Sequence, residues 1–84
     1  MKVFFHKKAE QDYLYFQQND SEIFNKINLL IKDIVRSNFK GIGKPEPLRH
    51  NLTGFWSRRI NREHRLVYTV KSNSIYILQC RYHY

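Results

Sequence analysis

The last four residues, Arg81-Tyr82-His83-Tyr84, place an imidazole between two phenols with a guanidinium close by. Histidine exchanges its proton nearest neutrality, so His83 is a candidate general acid or base. Its natural counterpart is Glu46, which lies between Pro45 and Pro47 in a region otherwise crowded with cations. The two proline rings stiffen the backbone around that carboxylate, as a fixed catalytic group requires, although an ordinary surface connector reads the same way.

The charge around Glu46 is uneven along the chain. Residues 1–34 are neutral, with five lysines against five carboxylates, whereas residues 35–84 carry ten lysines and arginines against only Glu46 and Glu63. The whole net charge of +8 therefore lies in the second part. Such asymmetry points to a polyanionic partner, with nucleic acid ahead of an anionic membrane surface. Seven of the fifteen cations are arginine, which suits bidentate phosphate recognition better than a solubilising lysine coat. Lys44, Arg49, His50, Arg58, Arg59 and Arg81 are the candidate phosphate contacts. On a strand Arg58 and Arg59 point to opposite sides, so at most one of them joins a given site.

Other chemistries find little support. His6, His50, His64 and His83 show no paired ligand spacing and no cysteine pair accompanies them, so neither a metal nor a cofactor is expected. The single cysteine, Cys80, sits in an apolar run and reads as a buried, inert thiol. Nucleotide-binding glycine loops and the serine-hydrolase elbow are absent. One cysteine permits no internal disulfide, and no apolar leader or membrane-length span occurs, so a cytoplasmic protein is expected.

These residues must be positioned by a single small domain spanning residues 1–84. With 42% apolar and 15% aromatic residues the chain can build one modest core. Val3-Phe4-Phe5 is strand-prone, and Ala9, Tyr13 and Phe16 recur at helical spacing within Lys7 to Asn19. Asp20 or Ser21 can cap a second helix, whose stripe of Ile23, Ile27, Leu30, Ile31 and Ile34 faces the core. Ser37 to Thr53, broken by Gly41, Gly43, Pro45 and Pro47, is a surface loop. Three strands follow, Phe55 to Ile60, His64 to Val70 and Ser74 to Tyr82, and their short links predict an antiparallel meander. Alternation puts Leu66, Tyr68 and Val70 on one face and Arg65, Val67 and Thr69 on the other, away from the helices. It also separates His83 from Tyr84, so a joint role requires the last strand to end or curl. The fold class expected is α+β, two amino-terminal helices on a small twisted antiparallel sheet.

Four segments in order, Lys44-Pro45-Glu46-Pro47-Leu48, Gly54-Phe55-Trp56-Ser57-Arg58-Arg59-Ile60, Glu63-His64-Arg65-Leu66-Val67-Tyr68 and Arg81-Tyr82-His83-Tyr84, together with Asp12-Tyr13-Leu14-Tyr15, resemble the YoeB toxins of the RelE-like superfamily. The resemblance runs over essentially the whole chain. It implies a microbial-ribonuclease fold and a toxin of a toxin-antitoxin pair that cleaves mRNA in the ribosomal A site. Carried over residue by residue, it implies Glu46 as general base, Arg65 as phosphate clamp with Arg59 beside it, His83 as general acid and Tyr84 as the group orienting the scissile nucleotide. Arg49 stands where lysine is more familiar, which keeps the charge and changes its geometry. The implied partners are ribosome-bound mRNA, rRNA and a YefM-like antitoxin; a homodimer is left open, and no membrane partner is expected.

The residues suit that chemistry. Metal-independent RNA cleavage needs a base for the ribose 2′-hydroxyl, cations for the phosphorane and an acid for the departing 5′-oxygen, leaving a 2′,3′-cyclic phosphate. Two alternatives stay open at this point: a non-catalytic basic module that binds RNA or the ribosome, and a ribonuclease that works without the ribosome.

Overall fold

The computed structural model describes all 84 residues. Strand β1 (Lys2–Phe5) leads into helix α1 (Lys7–Asn19), whose first turn is capped by His6 Nδ1 accepting the Lys8 amide at 3.3 Å. Asp20 then ends one helix and starts the next. Its amide donates to the Phe16 carbonyl at 2.8 Å, and its carboxylate accepts the Ile23 amide at 3.2 Å at the start of helix α2 (Ser21–Arg36). One residue thus folds the chain into a helical hairpin.

The chain continues through strands β2 (Glu46–Pro47), β3 (Trp56–Arg59), β4 (Arg65–Lys71) and β5 (Ser74–Gln79). They form one sheet in the order β1-β5-β4-β3-β2. The meander of β3, β4 and β5 is antiparallel as the short links require, and the two-residue edge strand β2 extends it from within the expected loop. Strand β1 instead runs parallel to β5, making the sheet mixed and tying the two ends of the chain together. Both helices cover one sheet face. Ala9 and Phe16 of α1 and Ile27, Leu30 and Ile34 of α2 pack against Leu66, Tyr68, Ile75, Ile77 and Cys80.

One member of that layer corrects the sequence reading. Arg58 points to the helix side of β3 and is completely buried, so it is no RNA contact. Its Nη1 meets Asp33 Oδ2 at 2.6 Å and the Ile42 carbonyl at 3.1 Å, Nη2 meets the Ser37 and Lys40 carbonyls at 2.8 Å each, and Nε meets the Tyr68 hydroxyl at 3.2 Å. The guanidinium fork therefore shapes the loop after α2, because only a planar group with five donors can serve carbonyls spread over residues 37–42. At the end of this loop Gly43 has φ +81°, and a side chain there would meet Leu30, 2.8 Å away. Its carbonyl accepts the Arg59 amide, locking the approach to β2.

Asp33 is held down to a pKa of about 2 by the hydrogen bond from Arg58, the Ile42 amide and Arg36, against an ordinary value of 3.8. A depressed acid stabilises the fold above its unfolded value, and that stability is lost as pH falls through the folded value. Asp33→Asn should accordingly flatten the loss of stability between about pH 4 and pH 2, as read by urea unfolding at stepped pH. Arg58→Met strands several part-buried carbonyls, at about 1–3 kcal/mol for each buried group left unpaired. It should lower Tm by about 10 °C or more in a calorimetric scan.

Candidate active site on the open sheet face

The sheet face away from the helices carries the candidate chemistry, and strand register explains why. Glu46 pairs with Ser57, and Ser57 with Val67, so these three share a row across β2, β3 and β4. Two residues along the same strands, Arg59 pairs with Arg65. Period-two alternation keeps both rows on one face, about 7 Å apart. Glu46 and Arg59 are exposed, whereas Arg65 is only 9% exposed. The Arg65 Nη1 donates to the Asn61, Arg62 and His64 carbonyls at 2.8–3.3 Å, which fixes its direction. Its Nε and Nη2 carry no protein partner and are not sealed from solvent, so they remain free for an anion.

The carboxyl-terminal residues reach this face through a β-bulge. The register between β4 and β5 slips at Val67/Tyr68: Tyr68 pairs with Ile77 but Val67 pairs with Gln79. The extra residue reverses the alternation, turning Gln79 onto the open face and sending Cys80 into the core against Ala9. Strand β5 ends there, short of the expected Tyr82. Gln79 Nε2 then donates to the carbonyls of Arg81 at 2.9 Å and of Tyr82 and His83 at 3.3 Å each, gathering the tail around one amide. Tyr82 adopts φ +63°, its amide donates to His64 Nδ1 at 2.8 Å, and its carbonyl accepts the Arg65 amide at 3.1 Å. His64 is thus an acceptor that secures the curl, packed against the Phe16 and Tyr82 rings.

The curl delivers Tyr84 to Glu46. The Tyr84 hydroxyl donates to Glu46 Oε1 at 3.0 Å and lies 3.2 Å from Ser57 Oγ, whereas His83 stands exposed beside the Tyr84 ring and does not bond Glu46. Glu46, Arg49, His50 and Tyr84 line a cleft of about 620 Å³. A second hollow of about 540 Å³ is walled by Lys26, Lys44, Arg59, Arg62 and Arg65. Lys26 belongs to α2, in the neutral part of the sequence. Arg81 does not join them: its side chain is 22% exposed, lies over the Tyr15 ring at 4.3 Å and is 3.5 Å from Asp12. Charge patterning put Arg81 with the phosphate contacts, but an aromatic-stacked arginine holding the tail to α1 leaves no trace in composition. Gln79 and Ser57 likewise carry no sequence signal for the contacts they make with the tail.

The thiol of Cys80 is pushed up to about 12 by burial and the nearby Asp12 carboxylate, so it stays protonated and unreactive at neutral pH. No three His, Cys, Asp or Glu side chains converge to ligate a metal. No helix is long and apolar enough to cross a membrane.

A family model described as the YoeB-like toxin of bacterial type II toxin-antitoxin systems matches residues 5–84. The chain belongs to this family. It is 58% identical to Toxin YoeB of Synechocystis sp. over 84 residues, covering all of this chain and 98% of the relative, and 58% identical to Toxin YoeB of Escherichia coli K12, with both chains fully covered. Among solved structures, a YoeB/ParE toxin from Agrobacterium tumefaciens superposes with TM-score 0.97 at 43% identity over the whole of both chains. The toxin of a YoeB-YefM complex from Staphylococcus aureus gives 0.95 at 55% identity, covering 100% of this chain and 98% of that one. YafQ from E. coli, at 14% identity and TM-score 0.76, shares the fold. The protein is therefore a YoeB-type toxin with the RelE-like α+β fold.

If Gln79 gathers the carboxyl-terminal tail, Gln79→Leu should leave Tm and circular dichroism nearly unchanged while loosening residues 82–84. Amide order parameters there should fall toward 0.6 or below, and retained values near 0.85 would remove Gln79 from this role.

Proposed function

We propose that this toxin is a ribosome-dependent endoribonuclease that cleaves mRNA in the ribosomal A site and so inhibits translation. The observation that carries the reading is the pairing of the Glu46 carboxylate with Tyr84 on the sheet face that also presents Arg59 and Arg65. Glu46 takes the proton of the ribose 2′-hydroxyl, and the resulting oxygen attacks the adjacent phosphorus. Arg65, held by carbonyls on Nη1 and open on its other nitrogens, stabilises the extra negative charge of the phosphorane together with Arg59. His83 protonates the departing 5′-oxygen, leaving a 2′,3′-cyclic phosphate and a 5′-hydroxyl.

In the free protein Tyr84 occupies the carboxylate that must act as base. Substrate entry replaces this hydrogen bond, freeing Glu46 and placing the Tyr84 ring against the scissile nucleotide. Long or misdirected contacts in the free enzyme are ordinary, since catalytic geometry tightens when substrate binds. The exposed positions of Glu46 and His83 leave alignment to the substrate. A ribosome that holds the mRNA supplies that orientation, the term worth most in bringing two groups to one bond. Lys44, Arg49, His50 and Arg62 add phosphate contacts around the two hollows.

A free ribonuclease endangers its host, and the neutralising partner proposed is a YefM-like antitoxin. An acidic segment that orders on binding can cover the basic face and displace the Tyr82–Tyr84 curl. Support comes from the S. aureus relative, which is seen in complex with YefM. Co-purification with the product of an adjoining reading frame should abolish cleavage.

Primer extension on mRNA with and without ribosomes tests the enzyme. Glu46→Gln and His83→Gln should each slow cleavage about 10²- to 10⁴-fold, with Tm unchanged because both side chains are exposed. Cleavage by the His83 variant at the wild-type rate would remove the acid, and wild-type cleavage of free mRNA at full rate would make the ribosome dispensable. Binding to ribosomes should weaken steeply with salt, and Arg62→Ala should flatten that slope by about one unit.

A further inference from the structure

The open face continues past Glu46 in the direction away from the arginines. Two residues along β4 from Val67, Thr69 pairs with Tyr76 of β5, and Tyr76 pairs with Phe4 of β1. Two residues further, Lys71 pairs with Ser74, and Ser74 with Lys2. Each step is about 7 Å, so the face presents four parallel rows in about 20 Å: Arg59 and Arg65, then Glu46 and Ser57, then the aromatic pair, then two lysines.

The aromatic row is unusual for a free surface. Phe4 and Tyr76 stack at 5.3 Å with 16° between their planes, yet remain 46% and 40% exposed. With Phe55, Leu78 and His6 they line an apolar groove of about 260 Å³. The Thr69 hydroxyl bonds the Gly54 carbonyl at 2.9 Å, holding the turn that carries Phe55 against the sheet. Side chains on paired strands lose little further freedom when a ligand settles on them.

We propose that this row is a base-stacking subsite for single-stranded RNA running on from the scissile phosphate. The inference rests on the RNA-cleaving reading above and adds to it the place where flanking bases are held. Rigid exposed rings accept any base through its π-face, and such platforms operate where cations track the backbone on either side. Here Lys2 and Lys71 lie beyond the rings, and the arginine row lies before them. A polynucleotide neutralises both sets of cations, whereas an apolar protein surface would have to desolvate the two lysines without recompense. The groove shares its face with Glu46, so a strand can occupy both at once.

The probe is a fluorescein-labelled 2′-O-methyl RNA of about eight nucleotides, within the span that such surfaces cover and lacking the nucleophilic hydroxyl. It is compared by anisotropy with an abasic strand of equal length. The wild-type toxin should bind the base-bearing strand at least about fivefold more tightly. Phe4→Thr combined with Tyr76→Thr, which keeps strand-forming residues at exposed sites, should close that gap and leave abasic binding unchanged. Tyr76→Trp should preserve it. A wild type without the gap, or a double variant that retains it, overturns the proposal; a double variant that retains the gap and turns a dimer into a monomer in sedimentation would assign the patch to contact between copies. Ribosomal cleavage by the wild type is scored separately: cleavage without base-dependent binding defeats only the subsite, and absence of cleavage defeats the parent reading.

Discussion

Burying a guanidinium is tolerable only when its donors are used, and Arg58 uses them to organise what lies around it. Its partners are a helix carboxylate, a strand hydroxyl and a set of loop carbonyls, so one side chain joins α2, β4 and the loop between α2 and β2. In an 84-residue chain with a modest core, that loop packs on the sheet through Phe39 against Trp56, and the hydrogen bonds of Arg58 fix its carbonyls. The constraint reaches the site because the loop leads through Gly43 to Glu46 at the sheet edge. Asp33 completes the arrangement, its charge fixed by Arg58, Arg36 and the Ile42 amide.

The opposite side of the site depends on a different device. A one-residue slip in the β4–β5 register turns the chain end onto the face its alternation would have missed. Gln79 and His64 then hold the turn through backbone groups, while Arg81 anchors it to the rings and carboxylate of α1. Exposed residues at a chain end would otherwise fray, so this set of contacts gives the tail a preferred path while leaving the His83 and Tyr84 side chains accessible.

The cations divide accordingly. Arg58 and Arg81 are engaged in structure, Arg65 is tied to three backbone carbonyls beside the candidate site, and Lys44, Arg49, Arg59 and Arg62 lie open to solvent. An excess of positive charge therefore sets the sign of the face without showing which residues would meet an anion. The field of the face depends on the sum, whereas each contact depends on where a strand points its side chain.

Much of the layout was legible in the sequence alone. The 3.6-residue stripe in Ile23 to Ile34, the Asp20 cap and the short links between the last three strands are local features, and local periodicity and capping determine them. Alternation correctly opposed Arg58 to Arg59 and set Arg65 apart from Leu66, and the ordered segments from Lys44 to Tyr84 pointed to the YoeB family, to which the chain belongs. Only the tertiary structure decided that Arg58 is buried, that β1 joins β5 in parallel, and that Tyr84 rather than His83 meets Glu46. Those outcomes depend on partners distant in sequence and on a single bulge at Leu78. One extra residue in a period of two reverses every later side chain, and no local pattern announces it.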